Sequence, residues 1–235
     1  MCGRFTITRR DGNSLAAELG VAADSFADYR PRYNVAPTQK HFVVRIKYEN
    51  REVIPATWGL VKSGSKDASM ATQAKTINAR SETVESRGAF REAFQKRRCV
   101  VPADGFFEWT GAKTARQPTW FHREDSRLLL FAGLYEAWQQ EQGVWETTFT
   151  ILTTAANAVL ESYHDRMPVI LADRDADDWM DPRAADPHAL KRLLVPAPDD
   201  LLIATPVSPA VNNVDNDSPE LLQPAGQMSL SLRSG

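Results

Sequence analysis

Apolar runs and apolar–polar alternation along the chain predict more strands than helices. Two strands, at 41–48 and 51–58, are expected to pair through a short turn at Glu49 and Asn50. Further apolar stretches bounded by polar residues predict strands at 98–102, 105–110, 119–123, 127–134, 145–153 and 201–207. The segments are short and numerous, so a large β structure is expected.

Helical spacing of apolar residues is confined to shorter stretches. It predicts helices at 14–19, 83–97, 156–163, 176–180 and 187–194. Because strands outnumber helices and do not alternate with them, the order favours an α+β fold with a largely antiparallel sheet or barrel. No linker rich in Gly, Ser or Pro divides the chain, so a single domain over residues 1–235 is predicted.

Composition narrows the class of protein. The chain has 235 residues, of which 43% are hydrophobic and 25% charged, as in an ordinary folded domain. The longest apolar run, 128–135, is shorter than the roughly 18 residues that a membrane span needs. Arg4, Arg9 and Arg10 interrupt the region where a signal peptide would be apolar. With only two cysteines, a reducing cytoplasmic location is expected rather than a disulfide framework.

Charge and motif content exclude several kinds of site. A formal net charge of -2 disfavours a protein held on nucleic acid by bulk charge, although a local basic cleft is compatible with it. The glycine-rich signatures of nucleotide-binding loops are absent. Asp173, Asp175 and Asp177 have calcium-loop spacing, but Asp178 and Ala184 stand where such a loop needs Gly and Glu. Cysteines and histidines lack zinc spacing, so neither a metal nor a cofactor is predicted.

Cys2 is the most unusual candidate because removal of Met1 would make it the N-terminal residue. Its amine, with a pKa of about 7.7–8.0, and its thiol, with a pKa of about 8.5, would both be partly available at neutral pH. Such an aminothiol condenses with an aldehyde to an imine and then closes a thiazolidine ring. The alternative is a buried, inert second residue. Arg4 nearby either binds an anion or forms a surface ion pair.

Polar residues on predicted loops supply further candidates. The segment 33–37 predicts an ordered loop with a packing role. Asn78 and Arg80 are expected to project from a loop, where Asn can fix a nucleophile and Arg can bind a phosphate in bidentate fashion. In the alternative interpretation Ser81 or Thr83 caps the next helix and the rest is turn.

Glu108 and His164 are candidates for proton transfer. Glu108 lies between large aromatic residues in the strand 105–110, and burial would raise its pKa toward the value that a general acid or base requires. Pairing with an arginine would explain the same carboxylate structurally. His164 is expected on a loop at the edge of the sheet, either as a proton shuttle or as a structural residue.

Six segments together closely resemble one known family. MCGRFT, YNVAP, INARSET, GFFEW, HDRMPV and VSPAVNN resemble the SRAP family, the SOS response-associated peptidases or abasic site processing proteins, and they run in the family's order from residue 2 to about residue 214. The resemblance implies a single α+β domain with a curved, barrel-like, mostly antiparallel β core flanked by short helices. The core is expected over residues 2–225, with a flexible C-terminal tail.

The resemblance also implies a chemistry and a partner. Cys2, freed by loss of Met1, would attack the ring-opened aldehyde of an abasic site in single-stranded DNA and close a thiazolidine crosslink. Asn78 would orient the nucleophile, while Glu108 and His164 would move protons. The positions that match phosphate contacts are Arg4, Arg80 and Arg166. A monomer acting at damaged DNA in the cytoplasm, and shielding the lesion from cleavage, is expected.

The chain departs from the family pattern in two places. The segment 59–76 lacks the aromatic residues that relatives commonly place there, which weakens the case for base stacking at that segment. Asp215 stands where many relatives carry a basic residue. This substitution is expected to weaken electrostatic affinity for DNA without moving the chemistry.

Three other activities stay open from the sequence. The N-terminal amine could drive an imine-based lyase reaction at abasic sites. Cys2, His164 and Asn78 could form a thiol peptidase, with autoproteolysis limited to residues ahead of Cys2. A noncovalent module for single-stranded DNA would show affinity that falls steeply with salt and does not depend on the thiol.

Overall fold

The computed structural model describes residues 2–65, 69, 73–112, 114–139, 143–184 and 186–226. The strands in these residues are β1 Phe5–Ile7, β2 Arg32–Val35, β3 Lys40–Lys47, β4 Asn50–Trp58, β5 Asn78–Arg80, β6 Arg98–Ala103, β7 Gly105–Thr110, β8 Gln117–His122, β9 Leu129–Gln139, β10 Trp145–Ala155, β11 Arg166–Pro168, β12 Ile170–Leu171 and β13 Ile203–Pro206. The α-helices are α1 Gly12–Leu19, α2 Arg91–Lys96, α3 Ala158–Glu161, α4 Ala176–Met180 and α5 Pro187–Lys191.

Five strands close into a barrel at the centre of the molecule. The order is β10, β4, β3, β6 and β9, and β9 pairs with β10 to complete the ring. These pairs are antiparallel except for β4 with β10, where Thr57 lies opposite Thr148 in parallel register. β5 also runs parallel to β10, and β11 and β12 extend the sheet. The α+β prediction with a mostly antiparallel, barrel-like core is confirmed.

A second, antiparallel sheet carries the N-terminal strand. Its order is β13, β8, β7, β1 and β2, so β1 lies between β7 and β2. Phe5 of β1 lies opposite Phe106 on one side and Val35 on the other. The buried Phe5 ring also contacts the barrel, with its centroid 5.1 Å from that of Trp58 and 6.3 Å from that of Phe131. This packing fixes the first residues of the chain between the two sheets.

Asp104 anchors the same N-terminal strand. This carboxylate is 7% exposed and accepts hydrogen bonds from the hydroxyls of Thr6 and Thr8 and from the Thr8 backbone N–H. Arg9 lies 3.6 Å from its second oxygen. Because a buried carboxylate is stabilised by such donors, Asp104 holds residues 6–9 in place against the start of β7. The position of Cys2 follows from this anchoring.

Several predicted elements are confirmed and three are wrong. The hairpin of β3 and β4 forms as expected, but Tyr48 and Glu49 make the turn, with φ of 49° and 68°. The predicted helix 83–97 begins only at Arg91, because residues 81–90 form successive turns. Asn78, predicted on a loop, begins β5, and residues 33–35 of the predicted loop 33–37 belong to β2; both strands are held by neighbouring strands.

Arg98 is a buried cation whose guanidinium is bound by backbone carbonyls. Only 2% of the residue is exposed, and its guanidinium donates to backbone carbonyls at 2.7 Å to 3.1 Å. The acceptors are the carbonyl oxygens of Phe94, Gln95, Trp179, Asp181 and Ala184. One side chain therefore joins the C-terminal end of α2 to the end of α4 and the segment after it.

Two sequence expectations lie partly or wholly outside the described residues. The predicted tail falls mainly on residues 227–235, and residues 66–68 and 70–72 belong to the divergent segment 59–76. Asp215 is described and exposed. Among the described residues, no helix is both long and apolar enough to cross a membrane.

Candidate active site

A cavity of about 620 Å³ opens where the N-terminal segment meets β7 and the loop after α3. Its lining includes Gly3, Arg4, Glu108, Trp109, Arg116 and His164. The antiparallel register of β1 and β7, continued by the bond from the Phe107 N–H to the Arg4 carbonyl, places Gly3 opposite Glu108. The cavity thus combines acidic, basic and imidazole side chains beside the residue that follows Cys2.

Cys2 is fully buried, and Asn78 holds its backbone. The Asn78 side-chain amide donates to the Cys2 carbonyl at 2.8 Å. Burial raises the pKa of the Cys2 thiol well above its usual range, and the negative charge of Glu108 raises it further. The thiol is therefore protonated at neutral pH, and it needs a base before it can act as a nucleophile.

Asn78 owes its position to the barrel. β5 runs parallel to β10 with Asn78 opposite Ile151, so the amide is fixed by strand pairing rather than by a loop. Its Oδ1 atom is buried and accepts no hydrogen bond from the described residues. Asn78 therefore binds the Cys2 carbonyl with its donor and keeps an unused acceptor beside the start of the chain.

Glu108 is a buried carboxyl group, as the sequence predicts. It is 4% exposed on β7 between Phe107 and Trp109. Burial raises the pKa of Glu108; the positive charge of Arg116 acts against this rise and the negative charge of Asp165 adds to it. Such a carboxyl group exchanges protons closer to neutrality than an exposed one does.

His164 lies on the loop after α3, in agreement with the sequence prediction. Its Nδ1 accepts the Arg166 backbone N–H at 2.9 Å and lies 2.7 Å from a carboxylate oxygen of Asp165. Burial lowers the pKa of His164, which favours the neutral ring. In that state the bond to Nδ1 places the proton on Nε2, whereas a protonated Nδ1 would bind Asp165. Nδ1 has a partner in both protonation states, which suits a group that gains and loses protons.

Arg4 lines the cavity, and one nitrogen of its guanidinium is already hydrogen-bonded. Its Nη1 donates to Asn34 Oδ1 and to the Val211 carbonyl, both at 2.9 Å, and its guanidinium carbon lies 5.9 Å from the Trp109 ring centroid. The amide of Asn34 also binds carbonyls of the segment 211–216. The sequence predicted a packing role for the segment 33–37, and in the structure Asn34 has such a role. It joins β2 and the segment 211–216 to Arg4.

The other two arginines predicted to contact phosphate differ in availability. Arg80 is exposed and makes no ion pair with any described residue. Arg166 is bound in bidentate fashion by Glu82, at 2.6 Å and 2.9 Å, and also donates to the Thr153 carbonyl at 2.5 Å. A phosphate at Arg166 would have to compete with the Glu82 carboxylate.

Sequence reasoning missed several residues of the cavity. Trp109 and Asn212 are joined by a 2.6 Å hydrogen bond, and both belong to motifs that carry the family resemblance, GFFEW and VSPAVNN. Arg116 precedes β8 and belongs to none of these motifs, so only the folded structure brings it to the cavity.

Replacing Glu108 with glutamine is expected to stabilise the protein above about pH 4. A carboxyl group with a raised pKa binds more protons in the folded state, so its contribution to stability falls as pH rises from its unfolded pKa to its folded pKa. Glutamine does not titrate, so the thermal midpoint of Glu108→Gln should exceed that of the parent by a margin that grows across this window. Midpoints measured between pH 4 and pH 8 test this.

Glu18→Gln is the matched control with the opposite sign. Burial acts to raise the pKa of Glu18, but the 2.7 Å contact with Arg9 and the Leu128 N–H lower it overall. This variant should lose stability relative to the parent as pH rises above the folded pKa of Glu18. Equal midpoints for Glu108→Gln and the parent at all pH values would contradict the assignment of a destabilising buried carboxyl group.

The chain matches known proteins over nearly its whole length. The family model described as SOS response associated peptidase (SRAP) matches residues 1–214. The abasic site processing protein YoqW of Bacillus subtilis (strain 168) is 37% identical over 227 residues, covering 95% of this chain and 99% of that protein. The abasic site processing protein YedK of Escherichia coli (strain K12) is 33% identical, with 95% and 100% covered.

A vertebrate relative and two crystal structures are also similar. The abasic site processing protein HMCES of Gallus gallus is 34% identical, covering 83% of this chain and 67% of that protein. A Bordetella bronchiseptica protein superposes with a TM-score of 0.73 at 28% identity, with 88% and 100% covered. A Bacteroides thetaiotaomicron protein superposes with a TM-score of 0.84 at 24% identity, covering 95% and 100%, and shares the fold.

Proposed function

The chain belongs to the SRAP family, and from this premise we propose that it processes abasic sites in single-stranded DNA by forming a covalent bond through Cys2. The observation that carries the proposal is the placement of Cys2. Its carbonyl is bound by Asn78, and the charge of Glu108 acts on its thiol. The residue that follows it lines a cavity together with Glu108 and His164. Relatives named abasic site processing proteins support the choice of substrate.

The proposed reaction uses both nucleophiles of Cys2 after loss of Met1. The amine adds to the aldehyde carbon of the ring-opened sugar, and the resulting carbinolamine loses one water to give an imine. The sulfur then adds to the imine carbon. The thiol loses its proton in this step, and the imine nitrogen gains one. The product is a thiazolidine, and one water is released overall.

Glu108 is proposed to manage the thiol proton. Two negative charges in a buried site repel each other, so Cys2 and Glu108 do not ionise together readily. Transfer of the proton from sulfur to the Glu108 carboxylate, as sulfur attacks the imine, keeps a single negative charge on the pair. The raised pKa of Glu108 makes its carboxylate a better proton acceptor than an exposed one.

His164 is proposed to act as the donor on the same cavity. The neutral ring carries its proton on Nε2 while Nδ1 accepts the Arg166 N–H. On protonation the Nδ1–H binds Asp165, and the imidazolium can give one proton to the sugar ring oxygen as the ring opens, or to the hydroxyl that leaves as water, which restores the neutral ring. Glu108 and His164 would thus take opposite parts in one proton transfer sequence.

Asn78→Ala should slow adduct formation by about 10–100-fold, because the amide that fixes the Cys2 backbone is lost. Affinity for DNA with a stable abasic analogue should stay unchanged, since Asn78 acts on the nucleophile. Adduct formation under single-turnover conditions gives the rate. Asn50→Ala, at the exposed first residue of β4, is the control and should react like the parent. A parental rate for Asn78→Ala would contradict the positioning role.

The proposed function is tested with oligonucleotides that contain one abasic site. The protein should form an adduct with single-stranded DNA that survives heating in denaturant without a reducing agent. Duplex DNA should react poorly, and DNA with a tetrahydrofuran analogue, which has no aldehyde, should not react at all. Binding that salt reverses, without any heat-stable adduct, would replace this proposal with the noncovalent DNA-binding module.

Two related activities rest on the same groups. The imine would also permit β-elimination, so we propose a lyase side reaction that competes with capture by sulfur. A peptidase relay of Cys2, His164 and Asn78 has weaker support, because Asn78 binds Cys2 while His164 Nδ1 is bound by the Arg166 N–H. Self-processing would then be limited to the release of residues before Cys2, which intact mass measurement detects.

A further inference from the structure

We propose that Arg116 binds a DNA phosphate adjacent to the abasic sugar, a role that none of the family motifs assigns to it. The inference rests on the proposed function, since it takes single-stranded DNA as the ligand. The inference goes beyond the proposed function because it names the side chain that sets the register of the DNA strand in the cavity. Three kinds of observation support it: location, availability and charge.

The location of Arg116 places a cation in the lining of the same cavity as Glu108 and His164. β7 and β8 form a hairpin whose last pair is Thr110 with Gln117, so Arg116 stands immediately before this pair at the end of the hairpin. It lines the same cavity as Gly3 and Glu108. We place the phosphate next to the abasic sugar at this wall of the cavity.

Availability separates Arg116 from Arg4 and Arg166. It is exposed and forms no ion pair or hydrogen bond with the described residues. Arg4 already donates to Asn34 and Val211, and Arg166 already holds the Glu82 carboxylate in bidentate fashion. A guanidinium with all five donors free can take two phosphate oxygens at once.

Charge gives Arg116 a further connection to the chemistry. Burial raises the pKa of Glu108, and the positive charge of Arg116 opposes that rise. A phosphate bound to Arg116 would offset this positive charge and make the Glu108 carboxylate a stronger proton acceptor. DNA binding and proton transfer would then be coupled through one side chain.

The experiment uses the full chain and single-stranded DNA with a tetrahydrofuran abasic analogue, so binding is measured without reaction. Fluorescence anisotropy at several salt concentrations compares the parent with Arg116→Gln and Arg116→Lys. Arg116→Gln should bind about 5–10-fold more weakly, and its log–log salt slope should be shallower by about 0.7, the value for one phosphate contact on a single strand. Arg116→Lys should keep the slope and lose part of the affinity.

Arg174→Gln is the matched control, because the Arg174 side chain is 88% exposed and does not line the cavity. It should bind DNA within about twofold of the parent, as expected of a surface charge outside the contact. Equal affinities for the parent and Arg116→Gln, or an equal loss for Arg174→Gln, would overturn the proposal.

A second arm identifies the phosphate. A neutral methylphosphonate replaces the phosphate on either the 5′ or the 3′ side of the analogue. At one of the two positions the parent should lose affinity and the loss caused by Arg116→Gln should disappear, because the contact is already absent. If Arg116→Gln still lowers the affinity by its full factor with both modified strands, the proposed phosphate contact is overturned. A parent that fails to crosslink aldehyde-bearing DNA would instead refute the proposed function, so the two failures are distinguishable.

Discussion

Cys2→Ala is expected to abolish the heat-stable adduct with abasic DNA, a loss on the order of a thousandfold or more in rate. Alanine keeps an N-terminal amine, so an imine still forms, but no sulfur is present to close the ring. The imine hydrolyses on heating, and it should be visible only after trapping with borohydride. Denaturing gels run with and without the reductant separate these two products.

Two variants sharpen this expectation. Cys2→Ser keeps an amine and an adjacent nucleophile, but a hydroxyl is a far weaker one than a thiol, so the heat-stable product should again be absent. Cys99→Ala removes the other buried cysteine, which lies on β6 in the barrel, and should react like the parent. A heat-stable adduct from Cys2→Ala, or its loss in a folded Cys99→Ala, would contradict the role given to Cys2.

Arg98→Met is expected to cause the largest loss of stability, at least about 3 kcal/mol in the free energy of unfolding. The guanidinium satisfies five backbone carbonyls in a site where the residue is 2% exposed. Methionine fills part of the volume but leaves these buried acceptors without donors. Urea denaturation monitored by fluorescence and by circular dichroism measures the change.

Controls make the Arg98 result specific. Arg98→Lys should fall between the parent and Arg98→Met, because an ammonium has three donors that cannot span the same acceptors. Arg183→Met changes a side chain that is 73% exposed, and its effect should be within about 0.5 kcal/mol. A loss below about 1 kcal/mol for Arg98→Met would show that the carbonyls find other donors.

Long elements were predictable from the sequence because their patterns contain enough residues. The hairpin of β3 and β4 and the strand β7 follow from apolar runs with clear boundaries. β1, β2 and β5 contain three or four residues each, and they form because neighbouring strands pair with them. Such short strands have too few positions to show a period, so tertiary pairing decides their structure.

The helix expected at 83–97 shows how tertiary context overrides a pattern. Val84, Phe90 and Phe94 have near-helical spacing, and all three are buried. The chain buries them through successive turns over residues 81–90. Only the last part, Arg91–Lys96, forms the helix. The spacing of apolar residues therefore predicted correctly which residues are buried, but it predicted the extent of the helix wrongly.

The candidate site was predictable where its chemistry is unusual. A cysteine at position 2, a glutamate among aromatic residues and a histidine on a loop each stand out by residue type and position. The contact between Asn78 and the Cys2 carbonyl joins residues 76 positions apart in the chain, so local pattern could not show it. Arg116 carries no distinctive pattern, and only the β7–β8 hairpin brings it to the cavity.

Mass spectrometry of the crosslink tests the central claim most directly. The adduct is formed without reductant, treated with iodoacetamide and digested with nuclease and trypsin. We expect the nucleotide remnant on the peptide that begins at Cys2, with the loss of one water and no alkylation of the thiol, because the ring sulfur is blocked. A remnant attached to a lysine, or a Cys2 thiol that is alkylated while the sugar is bound to its amine, would contradict the thiazolidine mechanism.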